Sequence, residues 1–160
     1  MKKVALGAVC LIAGLGMASA TEVAPGDLQY DEYGFLPAPL TDAPGDPANG
    51  RKIVSTKSLG NCVSCHTVTE MIKDVPFHGN VGPSLDGVAD RYPEAMIRGI
   101  VTNSQGVFEG TVMPSYYKTD GFNRPGIAYT SKPIEGEITP LLDAQQVEDV
   151  VAYLMTLKDN

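Results

Sequence analysis

The sequence predicts an all-α fold in which a first and a last helix flank a loop carrying Cys62-Val63-Ser64-Cys65-His66. Near the C-terminus, Val147, Val150, Val151, Leu154 and Leu157 recur at helical spacing. Asp46-Pro47 gives an earlier helix start, with an acid at the N-cap and proline at the first helical position. No run shows the alternation of a half-buried strand.

The loop motif carries the chemistry. C-x-x-C-H is the attachment sequence for c-type haem. Two intervening residues set the thiols about one helical turn apart, where both can form thioethers to the porphyrin vinyl groups. The adjacent imidazole, His66, can then bind iron as the proximal ligand. C-x-x-C also marks zinc sites, redox dithiols and small disulfide loops. Structural zinc takes four ligands, and beyond Cys62, Cys65 and His66 only His78 remains once Cys10 is assigned to a leader. A thioredoxin-like dithiol would follow an apolar strand, and none precedes Cys62.

That leader is residues 1–20. Lys2-Lys3, the apolar stretch Val4 to Met17 and the small residues Ala18-Ser19-Ala20 are the three parts of a secretory signal peptide, with cleavage expected after Ala20. The alternative is retention as an anchor, but the apolar run is shorter than the ~20 residues a membrane span needs. Export places the chain in the periplasm of a Gram-negative cell, where cysteines are normally paired or otherwise occupied. Haem attachment would use Cys62 and Cys65 and leave the mature chain no free thiol for catalysis.

The 160 residues carry a formal net charge of −7, and losing Lys2 and Lys3 makes the mature chain more acidic still. That charge disfavours nucleic acid as a partner and favours docking to basic patches on proteins. A mature length of about 140 residues suits one domain burying about two-thirds of its extended surface. There is no internal repeat.

Along the mature chain, residues 21–46 are rich in proline and glycine and read as an extended N-terminal arm on the domain surface, with Tyr30, Tyr33, Phe35 and Leu36 as packing area. Residues 47–160 form the haem domain. Its first helix is expected from Pro47 to about Lys57. Gly79 to Gly87 is a glycine-proline loop, Val88 to Tyr92 a helical turn, and Pro93-Glu94 opens a helix with Ala95, Met96, Ile97 and Ile100 on its apolar face. Helix signals are absent between Gly110 and Pro140, and so long a stretch without regular structure is usually functional or disordered. Asp143 with Gln146 then forms a capping-box pair ahead of the last helix.

A haem held by His66 leaves a second axial position, for which the mature chain offers Met71, Met96, Met113, Met155 and His78. Met96 and Met155 lie in amphipathic helix patterns, where methionine usually fills core. Met71 follows the attachment site too closely to cross the ring. Met113 stands in a loop, and Pro114 after it restricts its backbone to an extended form. Met113 is therefore assigned the distal role, with His78 as competitor. Methionine favours the ferrous state relative to a second histidine. With both positions filled, the iron passes electrons rather than binding substrate; a five-coordinate iron would instead suit a haem sensor or ligand-binding module.

With these residues assembled, the chain resembles the class I cytochromes c over most of its mature length. More narrowly it resembles the SoxX family, the small haem subunits of the SoxAX complexes of bacterial thiosulfate oxidation. The narrower resemblance rests on Pro39-Leu40-Thr41, Pro44-Gly45-Asp46-Pro47, Gly50-Arg51, Ile53-Val54 and Gly60-Asn61. It continues through Gly79 to Ala89, Arg91-Tyr92, Met113 to Tyr117, Asp120-Gly121 and Val147 to Leu154. It implies the class I cytochrome c fold, with terminal helices packed around one covalently bound haem c and a long distal loop. It also implies that Gly50 and Tyr153 mark the helix crossing, and that the Pro83 carbonyl accepts from the second ring nitrogen of His66.

The segment 77–79 with its extra histidine, and the acidic stretch Ile134 to Ile138, depart from the family pattern. In that family the complex is an L-cysteine S-thiosulfotransferase that joins thiosulfate to a cysteine of the SoxYZ carrier and releases two electrons. The bond-forming haem belongs to the SoxA partner. The resemblance thus implies a non-catalytic electron-transfer subunit in a heterodimer with SoxA, held through the arm and the 117–139 loop and handing electrons to a soluble acceptor such as another cytochrome c. The alternative is a free-standing periplasmic carrier.

Overall fold

In a computed structural model, which describes residues 21–123, 125–127 and 132–159, helices α1 (Pro47–Ser55) and α5 (Ala144–Leu154) cross at the centre of the molecule. Both helices start on the signals their sequences carry. Asp46 accepts the Ala48 N–H at 2.9 Å with Pro47 behind it. Asp143 accepts the Gln146 N–H at 2.7 Å while Gln146 returns a bond from the Asp143 N–H at 3.0 Å, a complete capping box. α1 closes at Ser55, two residues before Lys57, because Thr56 turns extended.

The crossing is as close as it is because Gly50 has no side chain. A Cβ there would lie 1.9 Å from the Asp149 carbonyl oxygen and 2.7 Å from the Tyr153 Cβ. Asp149 fixes the register, accepting from Asp46 N–H at 2.8 Å and from Asn49 Nδ2 at 2.6 Å. Ile53 and Val54 of α1 and Val147, Val150, Val151 and Leu154 of α5 form the buried seam.

Three further helices complete the α part: α2 (Val88–Arg91), α3 (Glu94–Thr102) and α4 (Ser104–Val107). α3 packs against α5 through Ile97 and Val101. α4 is one turn, too short and glycine-bearing to show a pattern in the sequence. Single 3-10 turns lie at Pro25–Asp27, Cys62–Ser64 and Thr69–Met71. Within the long loop, Gly126–Ile127 (β1) pairs antiparallel with Lys132–Pro133 (β2). This two-residue ladder is below what alternation can signal, and the fold stays all-α.

The arm is built into the core more deeply than a surface strap. Leu36 and Leu40 are buried, while Tyr33 stays 65% exposed. The backbone bonds Val23 N–H to Leu40 O and Leu36 N–H to Ala95 O, both 2.9 Å, hold its two halves. An ion pair inside the molecule completes the attachment. Arg98 Nε lies 2.9 Å from Glu148 Oε1, with the side chains 5% and 6% exposed. The same Glu148 oxygen accepts Leu40 N–H at 2.9 Å, and an Arg98 terminal nitrogen donates to Leu36 O at 3.2 Å. Arm, α3 and α5 thus share one polar knot under the apolar layer.

Among the described residues no helix is long and apolar enough to cross a membrane. The expected leader, residues 1–20 with Cys10, lies outside the described residues.

Candidate haem site

Asn61, with φ of +49°, turns the chain out of α1's end and into the tight turn Cys62–Ser64. Cys65 and His66 both donate their N–H to the Cys62 carbonyl, at 3.1 and 2.9 Å, so the motif is coiled on itself. Cys62 and Cys65 are half-buried and are not bridged to each other. Burial pushes the Cys62 thiol up to about 11, so before modification it is protonated at neutral pH. Burial and the neighbouring thiols raise the Tyr116 phenol as well, and its hydroxyl donates to the Gly60 carbonyl at 2.8 Å.

Cys62, Cys65 and His66 line a cavity of about 660 Å³. Met113, Pro114 and Tyr116 belong to the same lining, with Ile97, Val101, Leu142, Val150 and Leu154 as its apolar surface. The volume falls in the range of small-molecule and cofactor sites.

The second ring nitrogen of His66 is spoken for: Nδ1 lies 2.7 Å from the Pro83 carbonyl oxygen. A carbonyl can only accept, so Nδ1 carries the proton and Nε2 keeps its lone pair for a metal. The loop lies directly on the ring. A Cβ at Gly82 would sit 2.2 Å from His66 Cε1 and 2.6 Å from Nδ1, a space only glycine leaves open. Two thiols, an imidazole with a free lone pair and a thioether around an aliphatic cavity fit an iron porphyrin.

Met113 is half-buried. Its carbonyl accepts from the buried Ser104 hydroxyl at 2.6 Å and its N–H donates to Thr111 Oγ1 at 3.2 Å. The other sulfur candidates lie elsewhere: Met71 is fully buried in the core, and Met96 and Met155 are half-buried away from the cavity lining. His78 is also outside the lining. Its Nδ1 accepts the Val68 N–H at 3.1 Å, and its Nε2 is buried without a hydrogen-bond partner.

Sequence reasoning did not find the polar cluster that braces the loop beside His66, two members of which, Ser84 and Arg91, also line the cavity. Asp86 accepts the Thr69 N–H at 2.8 Å, the Thr69 hydroxyl at 2.6 Å and the Ser84 hydroxyl at 2.8 Å. Burial alone would raise its carboxyl, but these bonds and Arg91 outweigh that and hold it below the ordinary carboxylate range. Asp86-Gly87 reads as a turn in the sequence, and nothing local links it to Thr69.

The cytochrome c family model matches residues 47–158. The chain is also similar to one in the crystal structure of SoxXA from P. pantotrophus, at 49% identity and a TM-score of 0.80, covering 86% of this chain and 99% of that one. No curated protein sequence matches it.

Proposed function

This chain belongs to the cytochrome c family, as a SoxX-like class I member carrying one covalent haem c, and on that premise we propose that it relays electrons within a SoxAX complex. It takes them from the haem of a SoxA partner as thiosulfate is joined to a cysteine of the SoxYZ carrier, and passes them to a soluble acceptor such as another cytochrome c. The reading places the mature chain, cut after Ala20, in the periplasm.

The observation that carries it is that Cys62, Cys65, His66 and Met113 line one cavity. Haem c, when bound, supplies a one-electron ferric/ferrous couple. Cys62 and Cys65 would anchor it as thioethers, leaving neither thiol for other chemistry. His66 would present Nε2 to the iron while the Pro83 carbonyl holds its Nδ1 proton. Met113, in the same lining, would offer its thioether to the iron from a backbone held by Ser104 and Pro114. The aliphatic part of the lining, Ile97, Val101, Leu142, Val150 and Leu154, would pack on the porphyrin, while His66 and Met113 would hold the iron for electron transfer rather than substrate binding. The polypeptide positions and insulates; it forms no bond to thiosulfate.

Partner binding tests the proposal. The haem-loaded chain mixed with its SoxA counterpart at micromolar concentration should run as a heterodimer in sedimentation, and the pair should reduce an added cytochrome c when given SoxYZ and thiosulfate. A chain that stays monomeric is a free-standing carrier instead. Reduced protein that takes up carbon monoxide at neutral pH would point to a ligand-binding module.

A further inference from the structure

The loop over the His66 ring is closed by side chains outside the proposed ligand set. On its near end Gly82 N–H donates to Cys65 O at 2.8 Å, and Leu85 N–H donates to Thr67 O at 2.9 Å. Between these two bonds sits Pro83, whose carbonyl faces His66 Nδ1 at 2.7 Å. Ser84 Oγ adds a donor to the Thr67 carbonyl at 3.3 Å, and the far end is held by Asp86. One carboxylate oxygen takes the Thr69 N–H and the other takes the hydroxyls of Thr69 and Ser84. Arg91 reaches back from α2 to donate to the Ser84 carbonyl at 2.6 Å and to the Asp86 carbonyl. Thr69 stands three residues after His66, so Asp86 ties the loop to the same stretch of chain that carries the ring.

We infer that Asp86 is a positioning residue for the iron ligand: it closes the loop so that the Pro83 carbonyl receives the His66 Nδ1 proton, and through that bond it sets how strongly the imidazole donates to iron. The inference deepens the reading of His66 as proximal ligand and rests on it. An acceptor on the outer nitrogen raises the basicity of a ligating imidazole, and partners at this remove matter nearly as much as the ligands themselves. A more basic imidazole favours the ferric state. Slackening the loop therefore raises the reduction potential.

Two variants separate positioning from plain charge, since removing any nearby carboxylate also favours the ferrous state. Asp86→Ala deletes all three acceptor contacts. Asp86→Asn removes the charge but keeps an oxygen for the Thr69 N–H, and its amide can donate to hydroxyls that turn to accept. In haem-loaded protein, Asp86→Ala should shift the ferric/ferrous equilibrium about tenfold toward ferrous, about 59 mV upward for a one-electron couple. Exchange of the His66 Nδ1 proton in the reduced protein, followed by NMR, should quicken by about tenfold or more. Asp86→Asn should restore the exchange rate and keep only the charge-driven part of the potential rise, a smaller shift than Asp86→Ala gives. Thr69→Val, which spares the backbone donor, carries the same test at a smaller shift if Asp86→Ala fails to accumulate.

Equal shifts for Asp86→Asn and Asp86→Ala would assign the effect to charge and overturn the inference. So would unchanged potential and exchange in Asp86→Ala, or unchanged exchange in Thr69→Val. A wild-type reduced protein without haem-shifted His66 resonances fails the ligand assignment itself, before any variant is compared.

Discussion

In one part of the cavity lining the anchoring thiols, the imidazole and the loop that braces it all come from residues 62–91, and the bonds that hold the imidazole and its loop close within that stretch. A second part of the lining, around Met113, is built on elements that meet only in the folded molecule. Tyr116 and Tyr117 donate their N–H groups to Val101 and Thr102 of α3 at 3.0 and 3.2 Å, and Leu142 N–H reaches back to Tyr116 O at 3.0 Å. The first part is a local structure with a covalent tie; the second is a product of tertiary assembly. Damage to the first should therefore appear as loss of the cofactor, and damage to the second as altered ligation in a chain that still carries it.

The largest effect breaks the local part outright. Cys62→Ala with Cys65→Ala should leave no haem on the polypeptide after acid-acetone extraction, and the intact mass should fall to that of the bare chain. Pigment surviving in the protein fraction would mean that the thioethers are not the tie.

Next comes the knot beneath the assembled part. Glu148→Ala strands the Arg98 guanidinium, 5% exposed, and orphans the Leu40 N–H. Removing one member of a buried pair costs about 3–5 kcal/mol, read as a lowered midpoint in chemical denaturation. A loss under about 1 kcal/mol would place the pair among exposed ones. Because the knot ties arm to helices and touches neither proposed ligand, the visible spectrum of the folded fraction should not change.

What could be read in advance divides along the same line as the two parts of the lining. C-x-x-C-H is contiguous, and the Asp143–Gln146 box and Asp46-Pro47 are local capping signals, so the site's anchor and both principal helices were legible. Met113 could be singled out as a candidate for a related reason, since Pro114 stiffens its backbone and the other methionines sit in helix patterns or too near the motif, and the structure places it in the cavity lining. The Arg98–Glu148 pair joins residues 50 apart in sequence, and no periodicity announces it. The arm read as surface because its prolines and glycines outnumber Leu36 and Leu40, whose burial depends on α3 and α5 being in place. Asp86 is a turn residue until Thr69 is brought beside it.

The assembled part is probed by Met113→Ala. Loss of the thioether should lower the potential by on the order of 100 mV, within the about 0.8 V that axial ligands span, and should open the iron to carbon monoxide. His78→Ala should do neither, since His78 is absent from the cavity lining. The reverse pattern would exchange their roles.

The smallest effect is a pH dependence confined to the local part. The Asp86 carboxyl is held below its ordinary value of 3.8 by Thr69, Ser84 and Arg91 despite partial burial. A depressed native value means that the unfolded chain binds the proton more readily, so this contribution to stability is fully present above about pH 4 and is lost as pH falls through the native value. The difference in unfolding free energy between wild type and Asp86→Asn should therefore be constant from neutral pH down to about pH 5 and shrink below about pH 4. Met113→Ala, which touches no titrating group, should track the wild type across the same range. A wild-type to Asp86→Asn difference that grew on acidification would mean that the native carboxyl is raised, with burial outweighing its donors.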